Sequence, residues 1–140
     1  QALTKTQWDK WVRQPEILGN DEPFVNTKID EMAAIMKSFG RPFGHRLRLA
    51  MKSYVANYPE SDRYNGHKKI ETALADQIEL RLLPKLRGLD PEDSVVSQAF
   101  GDLSNMIRQD LGDKDLADAV QTSIDNAGQN SQFNWGGVTR

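Results

Sequence analysis

Apolar residues recur every three or four positions along nearly the whole chain, and nowhere do Val, Ile and Thr alternate for long enough to build a buried strand. That period belongs to helices. The predicted fold is therefore all-α, a compact bundle of about five to six helices with an irregular C-terminal tail. A chain of 140 residues, 38% of them hydrophobic, suits a single core. It can bury roughly two-thirds of the surface it would expose unfolded.

The punctuation divides that pattern. Thr6 can cap a short helix over Gln7 to Arg13 with Trp8 and Trp11 on one side, and Pro15 ends it. Gly19 to Pro23 reads as a loop, and Asn26 as the cap of a helix whose stripe is Ile29, Met32, Ala33, Ile35 and Met36. The segment Gly40-Arg41-Pro42-Phe43-Gly44-His45-Arg46 breaks the chain, its two glycines permitting positive φ, before a third helix from His45 to Tyr58. A fourth starts at Lys68 through Ile70, Leu74, Ile78, Leu82 and Leu83, and Pro84 kinks or ends it. Asp90-Pro91-Glu92-Asp93 combines an acidic cap with Pro at the first position and opens a fifth helix that runs to Leu111. Lys114 to Asn126 is a sixth. The expected organisation is a helical domain over residues 1–127 and a flexible Gly/Asn/Ser-rich tail over 128–140.

Composition narrows the chemistry. Eighteen basic and 20 acidic side chains leave a formal charge of −2, without the cationic field of a non-specific nucleic-acid binder. No apolar run approaches the roughly 20 residues that span a bilayer, so no membrane contact is expected. The absence of cysteine removes disulfides, thiolate metal sites and cysteine nucleophiles, and two histidines without a ligand motif predict no metal site. Gly40-x-x-x-Gly44-His45-Arg46 lacks the Gly-Lys-Ser/Thr ending of a phosphate loop and follows a helix, not a strand. No nucleophile elbow or acid–base pair is recognisable, so no catalytic residue is assigned. The basic residues Arg41, His45, Arg46, Arg48 and Lys52 are the most distinctive charge feature. They fit either an anion site at a loop-to-helix junction or a solvated helical face with Arg48 and Lys52 in an i,i+4 relation.

Two stretches carry a resemblance: Ser38-Phe39-Gly40-Arg41-Pro42-Phe43-Gly44-His45-Arg46-Leu47 with the helix to Tyr54, and Ala75-Asp76-Gln77-Ile78-Glu79-Leu80-Arg81-Leu82-Leu83-Pro84-Lys85-Leu86-Arg87-Gly88. Together they resemble the C-terminal helical lid of McrB-like AAA+ ATPases over residues 38–111. Leu83-Pro84-Lys85-Leu86-Arg87-Gly88 is the more specific match, whereas His45 stands where an aromatic is expected.

The resemblance implies a cytoplasmic, ring-forming parent protein that uses ATP or GTP with magnesium, acts in restriction or antiphage defence, and has a nuclease partner. It also implies that this chain closes over nucleotide held by a preceding α/β domain, contacts neighbouring ring subunits, and holds no nucleotide and hydrolyses none by itself. Arg46 takes the phosphate-sensing position, with Gly40, Arg41, Gly44 and His45 as its supporting loop.

The rival reading is a freestanding helical interaction module using Trp8, Trp11 or Trp135 to dock a partner. Direct DNA contact through Arg41, Arg46, Arg48 and Lys52 is disfavoured by the acidic total charge and the lack of a helix-turn-helix.

Overall fold

The computed structural model describes residues 14–138. Five α-helices, α1 (Glu22–Ser38), α2 (His45–Ala56), α3 (Gly66–Gln77), α4 (Ser94–Asn105) and α5 (Lys114–Asn126), form an all-α bundle, with no strand among the described residues. They pack in the spatial order α3, α2, α1, α4, α5. Among the described residues no helix is long and apolar enough to cross a membrane. The expected helix over Gln7 to Arg13, with Trp8 and Trp11, lies outside the described residues.

Helix α1 begins four residues before the expected cap at Asn26. Gln14–Asp21 forms a 3-10 segment kinked at Gly19 (φ 58°), and Pro23 sits in the first turn of α1, where its missing N–H has no partner to lose. Val25, Ile29, Met32 and Met36 are fully buried at helical spacing. The helix ends in a Schellman arrangement: the Gly40 amide donates to Lys37 O at 2.9 Å and the Arg41 amide to Met36 O at 2.9 Å. Gly40 takes φ +77° there, a left-handed conformation costly for any residue with a Cβ. Gly44, by contrast, has φ −95°, so the positive φ expected of it is not used.

Helix α2 stops at Ala56, two residues short of Tyr58. Helix α3 starts at Gly66 and continues as a wide π turn over Ile78–Leu82 and then a tight 3-10 turn over Leu83–Leu86. Pro84 accounts for the change of winding, since it lacks an amide donor and its ring crowds the carbonyl four residues earlier. The helix is rewound, not broken, and Ile78, Leu82, Leu83 and Leu86 remain fully buried.

The acidic helix start is displaced by one turn. Asp90-Pro91-Glu92 forms a turn closed by the Glu92 amide on Asp90 Oδ1 at 2.9 Å, and Asp93 is the cap, accepting from the amides of Val95 and Val96 at 3.0 and 3.2 Å. Helix α4 also leaves in a π turn, Met106–Asp110, which Lys28 of α1 ties down through Asp110 Oδ2 at 2.7 Å. Helix α5 spans the expected residues, capped by Asp113 through the Leu116 amide at 3.0 Å.

Part of the segment over 128–140, which the sequence predicts to be flexible, packs against the core. Phe133 is fully buried, its ring 4.8 Å from Phe100, which in turn lies 4.7 Å from Phe39. Its backbone pairs with the end of the Leu-Arg-Gly segment: the Gly88 amide donates to Phe133 O at 2.9 Å and the Phe133 amide to Leu89 O at 2.7 Å. The Gly136 amide reaches Ser123 Oγ at 3.2 Å. The core therefore extends beyond residue 127, because one large apolar side chain, two backbone–backbone bonds and one backbone-to-side-chain bond offset the entropy of ordering a Gly/Asn-rich segment.

Candidate functional site

The two motif segments face each other across an open groove of about 660 Å³. One wall comes from the loop and first turns of α2, with Pro42, Phe43, Gly44, Arg46, Leu47 and Ala50. The other comes from the π and 3-10 turns, with Leu80, Arg81, Pro84 and Lys85. Arg41 holds the walls together, its Nε donating to Lys85 O at 3.1 Å and its Nη2 to Arg87 O at 3.3 Å. Those carbonyls lie at the end of the rewound helix, where no following turn can satisfy them, so a planar guanidinium bridging two of them fixes the register of the two segments.

Three cations, Arg46, Arg81 and Lys85, line this groove without a carboxylate among its lining residues. All three are exposed, and among the described residues their side chains make no hydrogen bond or ion pair. Their like charges repel one another and would be relieved by an anion. The apolar part of the lining comes from Phe43, Leu47, Leu80 and Pro84. An anion with an apolar portion is the ligand class that uses both halves.

The other basic residues separate from this site. Arg48 pairs with Asp30 at 2.5 Å and Lys52 with Glu22 at 3.6 Å, tying α2 to α1. They are neither a free helical face nor part of an anion site. His45 is exposed in the first turn of α2. Gly40 shapes the end of α1, and Arg41 positions backbone rather than ligand. Of the predicted set, the structure brings Arg46 and Gly44 to the groove and leaves Gly40, Arg41 and His45 outside its lining. Arg81 and Lys85 carried no predicted role, although their i,i+4 spacing inside the more specific motif was the signal that could have found them. No cluster of three His, Cys, Asp or Glu side chains able to hold a metal occurs among the described residues.

A second hollow, of about 440 Å³, lies between α3 and the turn before α5 and is lined by side chains of both signs, including Lys68, Asp76 and Lys114. With no dominant charge it selects no ligand class. Beside it, the Tyr54 hydroxyl donates to Asp76 Oδ2 at 3.0 Å. Desolvation, reinforced by the negative Asp76, pushes Tyr54 up from its ordinary 10.0 to about 12. The folded chain thus holds this proton more tightly than the unfolded one. The corresponding stability is complete below about pH 10 and lost as pH rises through about 12. Denaturant midpoints measured from pH 9 to 12 should fall more steeply in wild type than in Tyr54→Phe. Parallel curves would show that the hydroxyl has no such role.

The chain belongs to the family described as a domain of unknown function, DUF8727, whose model matches residues 6–126. The match reaches the last residue of α5 and stops before Phe133. No curated protein and no solved structure matches the chain.

Proposed function

We propose that this DUF8727 domain is the helical lid of a McrB-like AAA+ nucleoside triphosphatase, closing over nucleotide held by a preceding α/β domain in a ring-forming protein of DNA restriction or antiphage defence. The observation that carries the reading is the groove. It joins the two segments on which the resemblance rests, and it presents Arg46, exposed and without a described partner, beside Arg81 and Lys85.

In this reading the chain supplies positioning and charge, while ATP or GTP and magnesium belong to the parent protein's α/β domain. Arg46 would offer a planar, bidentate donor fork to phosphate oxygens, an interaction that strengthens as closure excludes water. Arg41 keeps the opposite wall in register, so movement of the domain as a rigid body would carry all three cations together.

Arg46→Ala in the full-length protein is expected to lower nucleoside triphosphate turnover about tenfold or more. The variant 140-residue chain should unfold at the same denaturant concentration as wild type, because the side chain bonds to nothing described within it. Arg46→Lys should rescue poorly, since an ammonium keeps the charge but loses the fork. Arg48→Ala breaks the pair to Asp30 and should move stability slightly and turnover not at all. Unaltered turnover and assembly in Arg46→Ala, or unfolding of the variant chain, would refute the sensing role.

A further inference from the structure

The tail meets the helices in the way a bound peptide meets a groove. Residues 132–138 have no regular secondary structure of their own, and three main-chain groups hold them. Phe133 O accepts from the Gly88 amide at 2.9 Å, the Phe133 amide donates to Leu89 O at 2.7 Å, and the Gly136 amide donates to Ser123 Oγ at 3.2 Å. The Phe133 ring lies against Phe100 with none of its surface exposed. Main-chain bonds that almost any residue can make, with one pocket that selects a side chain, are the elements of peptide recognition. The receiving groups, Gly88, Leu89, Phe100 and Ser123, lie within the matched family domain, whereas Phe133 and Gly136 lie beyond it. The connection between the two works against docking. It turns through Ala127–Ser131, with the Asn130 and Ser131 amides closing on Ala127 O at 3.1 and 2.8 Å, and Ser131 takes φ +54°, a left-handed conformation that costs a residue with a Cβ. The tail is therefore held by the contacts of Phe133 and Gly136, not by its link to α5.

We propose that this site is a peptide-docking surface of the domain and that the tail is its exchangeable resident: a non-helical segment of a partner protein, with a phenylalanine between a free main-chain N–H and C=O, takes the tail's place. The occupant follows from what the site already selects. The Gly88 amide requires an acceptor, Leu89 O requires a donor, and the space beside Phe100 requires a large apolar ring. Tethered to the domain, the tail is present at high effective concentration and acts as an internal competitor, so it sets the threshold a partner must exceed. None of the receiving residues lines the cationic groove, and the proposal stands apart from the nucleotide reading.

The probe is a synthetic, fluorophore-labelled peptide of residues 128–138. In fluorescence anisotropy it should bind the 140-residue Phe133→Ala chain, whose pocket its own ring no longer fills, and should bind wild type about tenfold or more weakly, because the resident ring must leave first. The Phe133→Ala form of the peptide should bind neither. Bound peptide should raise the urea midpoint of the Phe133→Ala chain and return hydrogen-exchange protection to its Gly88 amide. Wild type gives a second reading that depends on no variant: its Gly88 and Phe133 amides should open about tenfold or more often than those of Phe100 and Leu103 within α4, as an exchangeable tail requires. A peptide that fails to bind the Phe133→Ala chain, equal affinity for the two chains, or tail amides that open only as rarely as those of α4 would overturn the proposal. None of these results bears on whether Arg46→Ala impairs turnover.

Discussion

Phe133→Ala is expected to destabilise the folded chain by about 3–5 kcal/mol, the cost of removing a fully buried aromatic ring. Phe133 closes a row of three rings, Phe39, Phe100 and Phe133, and its ring is the tail's anchor in the core. Without it, the backbone bonds to Gly88 and Leu89 would have to hold the tail segment against its own entropy. The loss should therefore include part of that segment's ordering, and the amides of Gly88 and Phe133 should lose hydrogen-exchange protection together. Phe133→Leu keeps most of the volume and should cost much less. Urea unfolding measures the difference, and a loss below about 1 kcal/mol for Phe133→Ala would show that the tail segment is dispensable.

Leu83→Ala should cost about 2–5 kcal/mol, and Leu80→Ala, three residues earlier, less than about 0.5 kcal/mol. Both are leucines in the same apolar-rich segment, but Leu83 is fully buried and Leu80 is 60% exposed. The contrast follows from the winding. After the π turn over Ile78–Leu82 the chain tightens into a 3-10 turn at Pro84, which keeps Leu82, Leu83 and Leu86 inward while Leu80 stays at the groove edge. Leu83→Met conserves volume and should cost under about 1.5 kcal/mol. Equal effects of the two alanine variants in chemical denaturation would mean that the segment is wound as a regular helix.

The helices that periodicity identifies correctly are those whose apolar stripe is long and whose start is chemically marked. Lys114–Asn126 lies at its expected limits because Asp113 caps it and the stripe repeats without interruption. The boundaries that moved did so where two local signals compete. Pro23 outweighs Asn26 as the start of α1, and Asp93 outweighs Asp90 as the cap of α4, in both cases because side chain and backbone together decide which residue leaves the helix. For the site, charge spacing grouped Arg46 with Arg41, His45, Arg48 and Lys52, and only the resemblance set Arg46 apart. Their engagement with Asp30 and Glu22 depends on how α1 and α2 cross, and no spacing within one helix records that.

The sequence by itself determined the all-α class, the chain break after Gly40, the change of winding at Pro84, and the burial of Leu82 and Leu83, because these follow from local φ/ψ preferences and a one-dimensional apolar period. Only the tertiary structure decided that the Gly/Asn-rich tail belongs to the core, that Arg41 ties down backbone, and that Arg46, Arg81 and Lys85 converge on one groove. The physical reason is range. A buried ring meeting partners more than thirty residues away, or cations brought together from separate segments, takes its energy from desolvation and from fields set by three-dimensional distance, which adjacent residues do not encode.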